Sequence, residues 1–533
     1  MTELITWLHS PQRRVFPRTV RSDGGPGIMQ AARGERIAFQ VAIRNMNNDA
    51  VDVEVAVRGG SREHIRVRRA GYVLMRHLNP GTHPGLLEDA EHLPGLTPDP
   101  LFDESQVTVG PNETVTFWVD VTPAPMAAPD HYALTIEVKA AGELVQRLGA
   151  NYQIFDLPGG MPLTLPVTHW IYPDAILDWY GLKAFEERFW QLAERFLTDA
   201  VSHGNSCIYV PIFTPPTDGV KRPCQLLGVQ TPQADQYRFD FSLVDRWVDL
   251  AEQAGARWFE WTHLFSQWGV KHALRVYRNN EDDQSLLWPA DTGATAPVYR
   301  QFLQQFLPAF ETYLSRRGLA DRSFFHLSDE PHGDEHLAAY RAARDMLREL
   351  APWMRVMDAL SDIRYGREGL TDIPVPVISS ASEYKEAGIP CWVYFCCGPR
   401  GPYVNRVMDT PLAVIRTIGW LLYALDAKGF LHWGYNYWQR SQQRTLVDPF
   451  LEQSAGAWPG WPYGDPFQVY PGPDGPIDSI RWEVFSLGLQ DYGLLERMGV
   501  NRTDPELQPL QGYDRYPRDP GWISMARRHL MER

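Results

Sequence analysis

From residue 158 onward the sequence repeats one unit, a short apolar run followed by a polar loop and an amphipathic segment, and eight such runs in a row confine the chain to an alternating α/β architecture. The runs occupy residues 167–172, 207–213, 258–263, 324–328, 356–360, 375–379, 392–396 and 430–435, each of strand length. Between the first two, Phe185, Phe189, Leu192, Phe196 and Ala200 recur at helical spacing, and Gly204 supplies a stop. A second helix is expected to open at Ser242, with Asp245 three residues on in a capping-box arrangement, and to end at Gly255. Eight alternating strands and helices predict a TIM-like (β/α)8 barrel, in which functional residues gather at the carboxyl ends of the strands.

The front of the chain follows a different period. Residues 35–157 alternate apolar and polar side chains, as in 37–43, 51–57, 114–121 and 132–138, which reads as antiparallel strands. Turn clusters separate them at Gly59-Gly60, Gly110-Pro111-Asn112 and Ala128-Pro129-Asp130, and the Pro-, Gly- and His-rich stretch 77–103 is expected to be a loop. A chain of 533 residues exceeds what one hydrophobic core usually supports. The expected fold is therefore multidomain α and β: an N-terminal antiparallel β-sandwich over 1–157, a (β/α)8 barrel over 158–500, and a C-terminal tail, 501–533, packed on the barrel, with Pro158-Gly159-Gly160 as linker.

Composition narrows the partners. A formal charge of -14 argues against a nucleic-acid partner, because binding a phosphate backbone depends on clustered Lys and Arg. No apolar stretch reaches the roughly 18 residues needed to cross a bilayer, and residues 1–17 lack the apolar core of a secretory signal. The expected location is cytoplasmic, or secreted if a signal was removed. Cys207, Cys224, Cys391, Cys396 and Cys397 show no disulfide or zinc spacing and read as buried thiols. The 19 Trp, 23 Tyr and 23 Phe are unusual; most belong to cores, but broad aromatic faces also hold the apolar faces of sugar rings.

Polar residues directly after the strand runs carry the chemistry. The fourth run ends in His326-Leu327-Ser328-Asp329-Glu330-Pro331, two adjacent carboxylates before a proline that biases Glu330 away from helical geometry. A helix N-terminus is the plainer reading of such a pair. Glycosidases that use two carboxylates as nucleophile and acid need them on opposite sides of the bond, about 5 to 5.5 Å apart for retention, which neighbours on one strand rarely achieve. Adjacent Asp and Glu suit instead a reaction in which the substrate's own 2-acetamido group attacks the anomeric carbon. Asp329 then orients the acetamide as a carboxylate, and Glu330 protonates the leaving oxygen and later activates water. Around them, Trp392 and Tyr394 in the seventh run, Trp433 and Tyr435 in the eighth, and Asn436 and Trp438 just after it are candidate substrate-binding residues, with His263 and His326 at the same rim. Asn436 stands out because an amide is costly to bury without partners. His326 and His332 flank the acidic pair but lie six apart across a proline, so no metal is expected, and no organic cofactor either.

The acidic pair, the run from Trp392 to Pro399, the run from Gly429 to Trp438, and a closing segment through Gly464-Asp465-Pro466 to Arg481-Trp482-Glu483 and Gln490-Asp491-Tyr492 together resemble the catalytic domain of glycoside hydrolase family 123, also called domain of unknown function 4091, over residues 165–498. The resemblance implies a retaining exo-β-N-acetylgalactosaminidase whose adjacent catalytic carboxylates match Asp329 and Glu330, with Tyr394, Trp433 and Asn436 in matching motifs. One departure is the stretch after Arg481-Trp482-Glu483, which reads Val-Phe-Ser-Leu-Gly where the family has an Arg-Asp-Gly step. The expected partner is a carbohydrate with a terminal N-acetylhexosamine, with no nucleic acid and no membrane; the sequence leaves the oligomeric state open, a homodimer included. A glycosidase for another β-linked sugar such as N-acetylglucosamine, and a non-catalytic carbohydrate-binding protein, are the alternative readings.

Overall fold

The computed structural model describes residues 3–21, 25–59, 63–216, 221–233 and 235–533; Gly60 of the expected Gly59-Gly60 turn lies outside them. The N-terminal part is two five-stranded sheets. One holds Leu4–His9, Ile37–Asn45, Thr114–Thr122, His64–Met75 and Gly95–Phe102 in that spatial order, all antiparallel. The other runs Ile28–Arg33, Glu143–Pro158, His131–Ala140, Val51–Gly59 and Gln106–Val109, with only the first pair parallel.

The strand Thr114–Thr122 shows why this sandwich is bound to the rest of the chain. Alternate side chains leave a strand on opposite faces. Phe117, Val119 and Val121 enter the core between the two sheets, whereas Trp118 enters the larger core that continues into the C-terminal part. The sheet is therefore buried on both sides. Gly95–Phe102 corrects the expected loop at 77–103: its second half is an edge strand, where Pro98 and Pro100 are tolerated because one side needs no ladder. That edge is covered, since Pro100 bridges Ser479 and the buried Asp99 pairs with Arg481 at 2.9 Å.

Beyond residue 158 a short parallel strand overlaps each of the eight apolar runs: Val167–His169, Cys207–Val210, Trp258–Trp261, Ser323–Phe325, Met357–Ala359, Ile373–Val375, Val393–Tyr394 and Phe430–His432. Ladders join the second to fourth, the fifth to sixth, and the seventh to eighth to first; single bridges, Phe325 to Val356 and Val377 to Tyr394, connect these groups. Between Val167–His169 and Cys207–Val210 no ladder forms among the described residues, and the Ser206 hydroxyl accepts the Val167 N–H instead. What is seen is thus an arc of parallel strands in barrel order. The sixth strand begins earlier than its run because Pro374 and Pro376 cannot donate; their carbonyls accept from Trp392 and Tyr394.

Helices flank the strands. Glu187–Ser202 buries Phe189, Leu192, Phe196 and Ala200 as expected, but Phe185 lies before it, in the left-handed region at φ 59°; Ser242–Ala254 buries one apolar face and ends at Gly255, also left-handed, φ 103°. The start of Ser242–Ala254 differs from expectation: Asp240, not Ser242, supplies the capping oxygen, accepting the Ser242 N–H at 2.9 Å. Ile480–Arg497, in the closing segment, is buried over most of its length and approaches Leu412–Ala424 so closely that a Cβ on Gly419 would lie 1.7 Å from the Gly488 carbonyl oxygen. The C-terminal helix Pro520–Met531 returns to the sandwich through the buried Arg527, which reaches Glu35 at 2.9 Å as well as Asp491. Among the described residues no helix is long and apolar enough to cross a membrane.

Candidate active site

The fourth parallel strand ends at Phe325, and the next five residues carry the acidic pair into a cavity of about 100 Å³. Asp329 and Glu330 share its wall with Trp170, Trp268, Tyr394, Trp433 and Trp461. Both carboxylates are half-buried. Glu330 has left the right-handed helical region as expected, but into the left-handed one, φ 43°, a conformation costly for a side chain this long. Its neighbours hold it there: the Glu330 N–H donates to the Ala359 carbonyl at 2.9 Å, and its own carbonyl accepts from His332 Nδ1 at 3.1 Å. The Asp329 carbonyl accepts the Trp268 N–H at 2.9 Å. The Tyr394 hydroxyl donates to Glu330 Oε1 at 2.6 Å; burial, then the Glu330 carboxylate, pushes the phenol pKa well up, so it remains a donor.

Beneath the pair lies a fully buried polar chain. Glu260 Oε1 accepts from Trp170 Nε1 at 2.6 Å and from His326 Nε2 at 2.5 Å, while its Oε2 accepts from Thr168. His326 Nδ1 reaches Asp358 Oδ1 at 3.1 Å, and Asp358 also accepts from Tyr340 and from the backbone N–H groups of Leu327 and Ser328. Burial lowers the His326 imidazole, but hydrogen bonds and charge from Asp358 and Glu260 outweigh it and bring its pKa up to about 10. The ring is therefore a cation between two carboxylates. This chain fixes the backbone that delivers Asp329 and Glu330.

The structure brings only some of the expected residues into the cavity. Asp329, Glu330, Tyr394 and Trp433 line it. His326 lies below, both ring nitrogens engaged, and His263 stacks on it at 4.2 Å, kept neutral by burial and the His326 charge. Trp392 packs at the other end of its strand against Phe324. Asn436 is buried as expected but pairs with the Tyr172 backbone, accepting its N–H at 2.8 Å and donating to its carbonyl at 3.2 Å, so it ties the segment after the eighth strand to the first. Tyr435 donates to Asp199 and Trp438 to the Val469 carbonyl. Three of the five cysteines are only half-buried, and two of these, Cys396 and Cys397, line the cavity rather than a core. Trp170 and Trp461 were not expected; Trp170 directly follows the strand Val167–His169, inside the first apolar run, a position the barrel rule points to, whereas Trp461 sits in an irregular Trp-Pro-Gly-Trp-Pro loop without periodicity. Asp465, from the closing segment, orients Trp433 by accepting its Nε1–H at 2.9 Å.

Among the described residues two groups offer three ligand atoms within 4.8 Å of one another, His263 with His326 and Asp358, and Asp199 with His203 and Asp478. In the first, both His326 nitrogens already serve carboxylates and the ring is cationic, which opposes a metal. His332 points to the Glu330 carbonyl and does not converge with His326.

The catalytic-domain sequence model of glycoside hydrolase 123 matches residues 170–498, more than half of the chain. The protein belongs to glycoside hydrolase family 123. It is thus a glycosidase, and the cavity at Asp329 and Glu330 lies within the matched region. A solved family 123 glycoside hydrolase from Clostridium perfringens, studied for glycolipid glycan hydrolysis, is similar in fold, with TM-score 0.74 at 16% identity, covering 100% of this chain and 97% of that one. A family 39 glycoside hydrolase from the gut symbiont Bacteroides cellulosilyticus WH2 aligns over 87% of this chain and 81% of its own at 8% identity, with TM-score 0.35. No curated protein matches the sequence.

Proposed function

We propose that this family 123 glycosidase is a retaining exo-β-N-acetylgalactosaminidase that works by substrate assistance, on a closed (β/α)8 barrel of residues 158–500 between a sandwich of 1–157 and a tail of 501–533. The observation that carries the reading is the origin of both cavity carboxylates in consecutive residues at one strand end. Such a pair approaches a glycosidic bond from one side, so the group that attacks the other face of the anomeric carbon has to come from the substrate.

In the first step the acetamide oxygen bonds to C1 as the bond from C1 to the leaving oxygen breaks, and Glu330 gives that oxygen its proton. Asp329 accepts a hydrogen bond from the acetamide N–H and stabilises the oxazolinium cation. Water then attacks C1, losing a proton to Glu330, and the acetamide is restored with net retention. Tyr394, which holds Glu330 Oε1 in this structure, turns its hydroxyl to the acetamide carbonyl when substrate enters. Trp433, Trp461 and Trp170 wall the sugar and its acetyl methyl. The small volume favours one terminal residue over the interior of a chain, and the glycans of glycolipids are a natural class to test.

Aryl β-glycosides of GalNAc, GlcNAc and galactose, assayed with wild-type protein and Glu330→Gln, test the reading. It predicts a preference for β-GalNAc that the variant loses. Comparable turnover of the plain β-galactoside would remove acetamide participation, and a preference for β-GlcNAc would change the sugar alone.

A further inference from the structure

Beside the catalytic cavity lies a larger one, about 260 Å³, and Trp268 lines both. Trp268 is 45% exposed, has φ 52°, and is fixed by its N–H bond to the Asp329 carbonyl, so it stands as a partition between the two spaces. The basic side chains around the second cavity are Lys221, His272 and Arg275. No carboxylate lines it among the described residues, in a chain whose formal charge is -14.

Lys221 is the decisive residue. It is 4% exposed, and its ammonium has no hydrogen-bond partner among the described residues. Its charge rests on the faces of Tyr172 and Tyr437, at 4.4 and 4.3 Å from the ring centroids. Cation–π contact offsets only part of the cost of burying an ammonium, about 0.5–2 kcal/mol. Arg275, half-buried, makes no ion pair among the described residues either. Two cations without a salt-bridge partner among the described residues therefore line one cavity, one partition away from Glu330. The Tyr437 ring in turn lies 5.2 Å from Trp433 of the catalytic cavity, so the Lys221 cage and the sugar site share a wall.

We propose that this second cavity is an anion subsite for the aglycone: the substrate is an acidic glycan whose sugar next to the released N-acetylhexosamine carries a carboxylate or a sulfate, bound by Lys221 and Arg275. The inference rests on the exo-acting reading above. A substrate anion gives both cations a direct ion-pair partner, forms charge-assisted hydrogen bonds with them, and orders the leaving sugar before bond cleavage.

The test compares three disaccharides with terminal β-GalNAc on galactose, on 3-O-sulfogalactose and on galacturonic acid, in wild type, Lys221→Met and Arg275→Gln. The expected result is a kcat/KM at least about tenfold higher for the acidic substrates than for the neutral one in wild type, with the ratio falling toward one in each variant. Because the readout is a ratio within each protein, general damage to a variant cancels, and Arg275→Gln alters a partly exposed position that tolerates change if Lys221→Met fails to fold. The sulfated and carboxylated arms identify which anion fits. Equal kcat/KM for neutral and acidic substrates, or a ratio that neither variant changes, would overturn the subsite while leaving the exo-glycosidase reading intact. If no β-GalNAc substrate is cleaved, that reading fails, and calorimetric binding of the same disaccharides decides the subsite separately: preferential binding of the acidic ones, lost in the variants, supports it, and equal binding overturns it.

Discussion

Two clusters of buried charge in this molecule are built from the same parts. One is Glu260, His326 and Asp358 beneath the cavity of Asp329 and Glu330; the other joins Arg68, Asp120, Asp478, Glu483, His203 and Asp199 where the sandwich meets the closing segment. Each centres on a histidine whose burial would lower its pKa but whose carboxylate neighbours raise it to about 10. Each also offers a triad of possible ligand atoms. The difference lies in what the cluster touches. Asp358 accepts the N–H groups of Leu327 and Ser328, one step from Asp329, whereas the Arg68 network ends in Trp482, Tyr435 and the sandwich. Burial of charge does not by itself mark a site. What marks one is the backbone that the charge holds and the cavity to which that backbone leads.

Mutation separates the two regions. Glu330→Gln is expected to lower kcat by about 10³-fold, the scale of a lost general acid, with thermal midpoint nearly unchanged, as read by aryl-glycoside kinetics and calorimetry. Arg68→Met is expected to do the reverse. It leaves Asp120 buried without its cation and takes one cation from Asp478 and Glu483, which keep Arg66 and Arg36, costing about 3–5 kcal/mol in a denaturant titration, while kcat per folded molecule stays at the wild-type value. Asp358→Asn falls between: it weakens the grip on Leu327 and Ser328, and a kcat loss of about tenfold with a smaller stability loss of about 1–3 kcal/mol is expected. A kcat unaffected by Asp358→Asn would break the comparison, since the lower cluster would then be as purely structural as the other.

The smallest expected effect is on pH dependence. His203 faces Asp199 and Glu483, with Arg68, Arg36, Asp120 and Asp478 in the same network. Its folded pKa, about 10, lies above the ordinary 6.5, so its contribution to stability is complete below pH 6.5 and is lost as pH rises through about 10. Asp199, which burial would raise, is brought down to about 2 chiefly by the His203 charge; its contribution is present above 3.8 and lost as pH falls through about 2. His203→Gln should flatten the alkaline decline of the thermal midpoint and leave the pH profile of kcat in place. His326→Gln should flatten the same decline and also displace the kcat profile.

The alternation of apolar runs and amphipathic segments located all eight parallel strands, because a buried parallel strand has to be continuously apolar and the helices around it amphipathic. The adjacent carboxylates were legible for a related reason: residues directly after such a strand emerge at its carboxyl end. The rest of the cavity was less legible. Asn436, Tyr435 and Trp438 follow the eighth strand just as Trp433 does, yet Trp433 alone lines the cavity, while Asn436 is consumed by the Tyr172 backbone. Which member of an aromatic run faces the cavity depends on partners distant in sequence, here Asp465 for Trp433 and Val469 for Trp438. The edge strand Gly95–Phe102 was hidden by its prolines, since its single ladder and its cover, Ser479 and Arg481, are supplied by residues far along the chain.

The central claim is that the group completing the reaction at Asp329 and Glu330 belongs to the substrate. A series of aryl β-GalNAc substrates with zero to three fluorines on the acetyl methyl tests it most directly, because fluorine weakens the acetamide oxygen as a nucleophile while barely changing its size. A steep fall in kcat/KM with each added fluorine is the predicted result. A flat series would mean that the acetamide takes no part and that a second carboxylate, outside the adjacent pair, performs the attack.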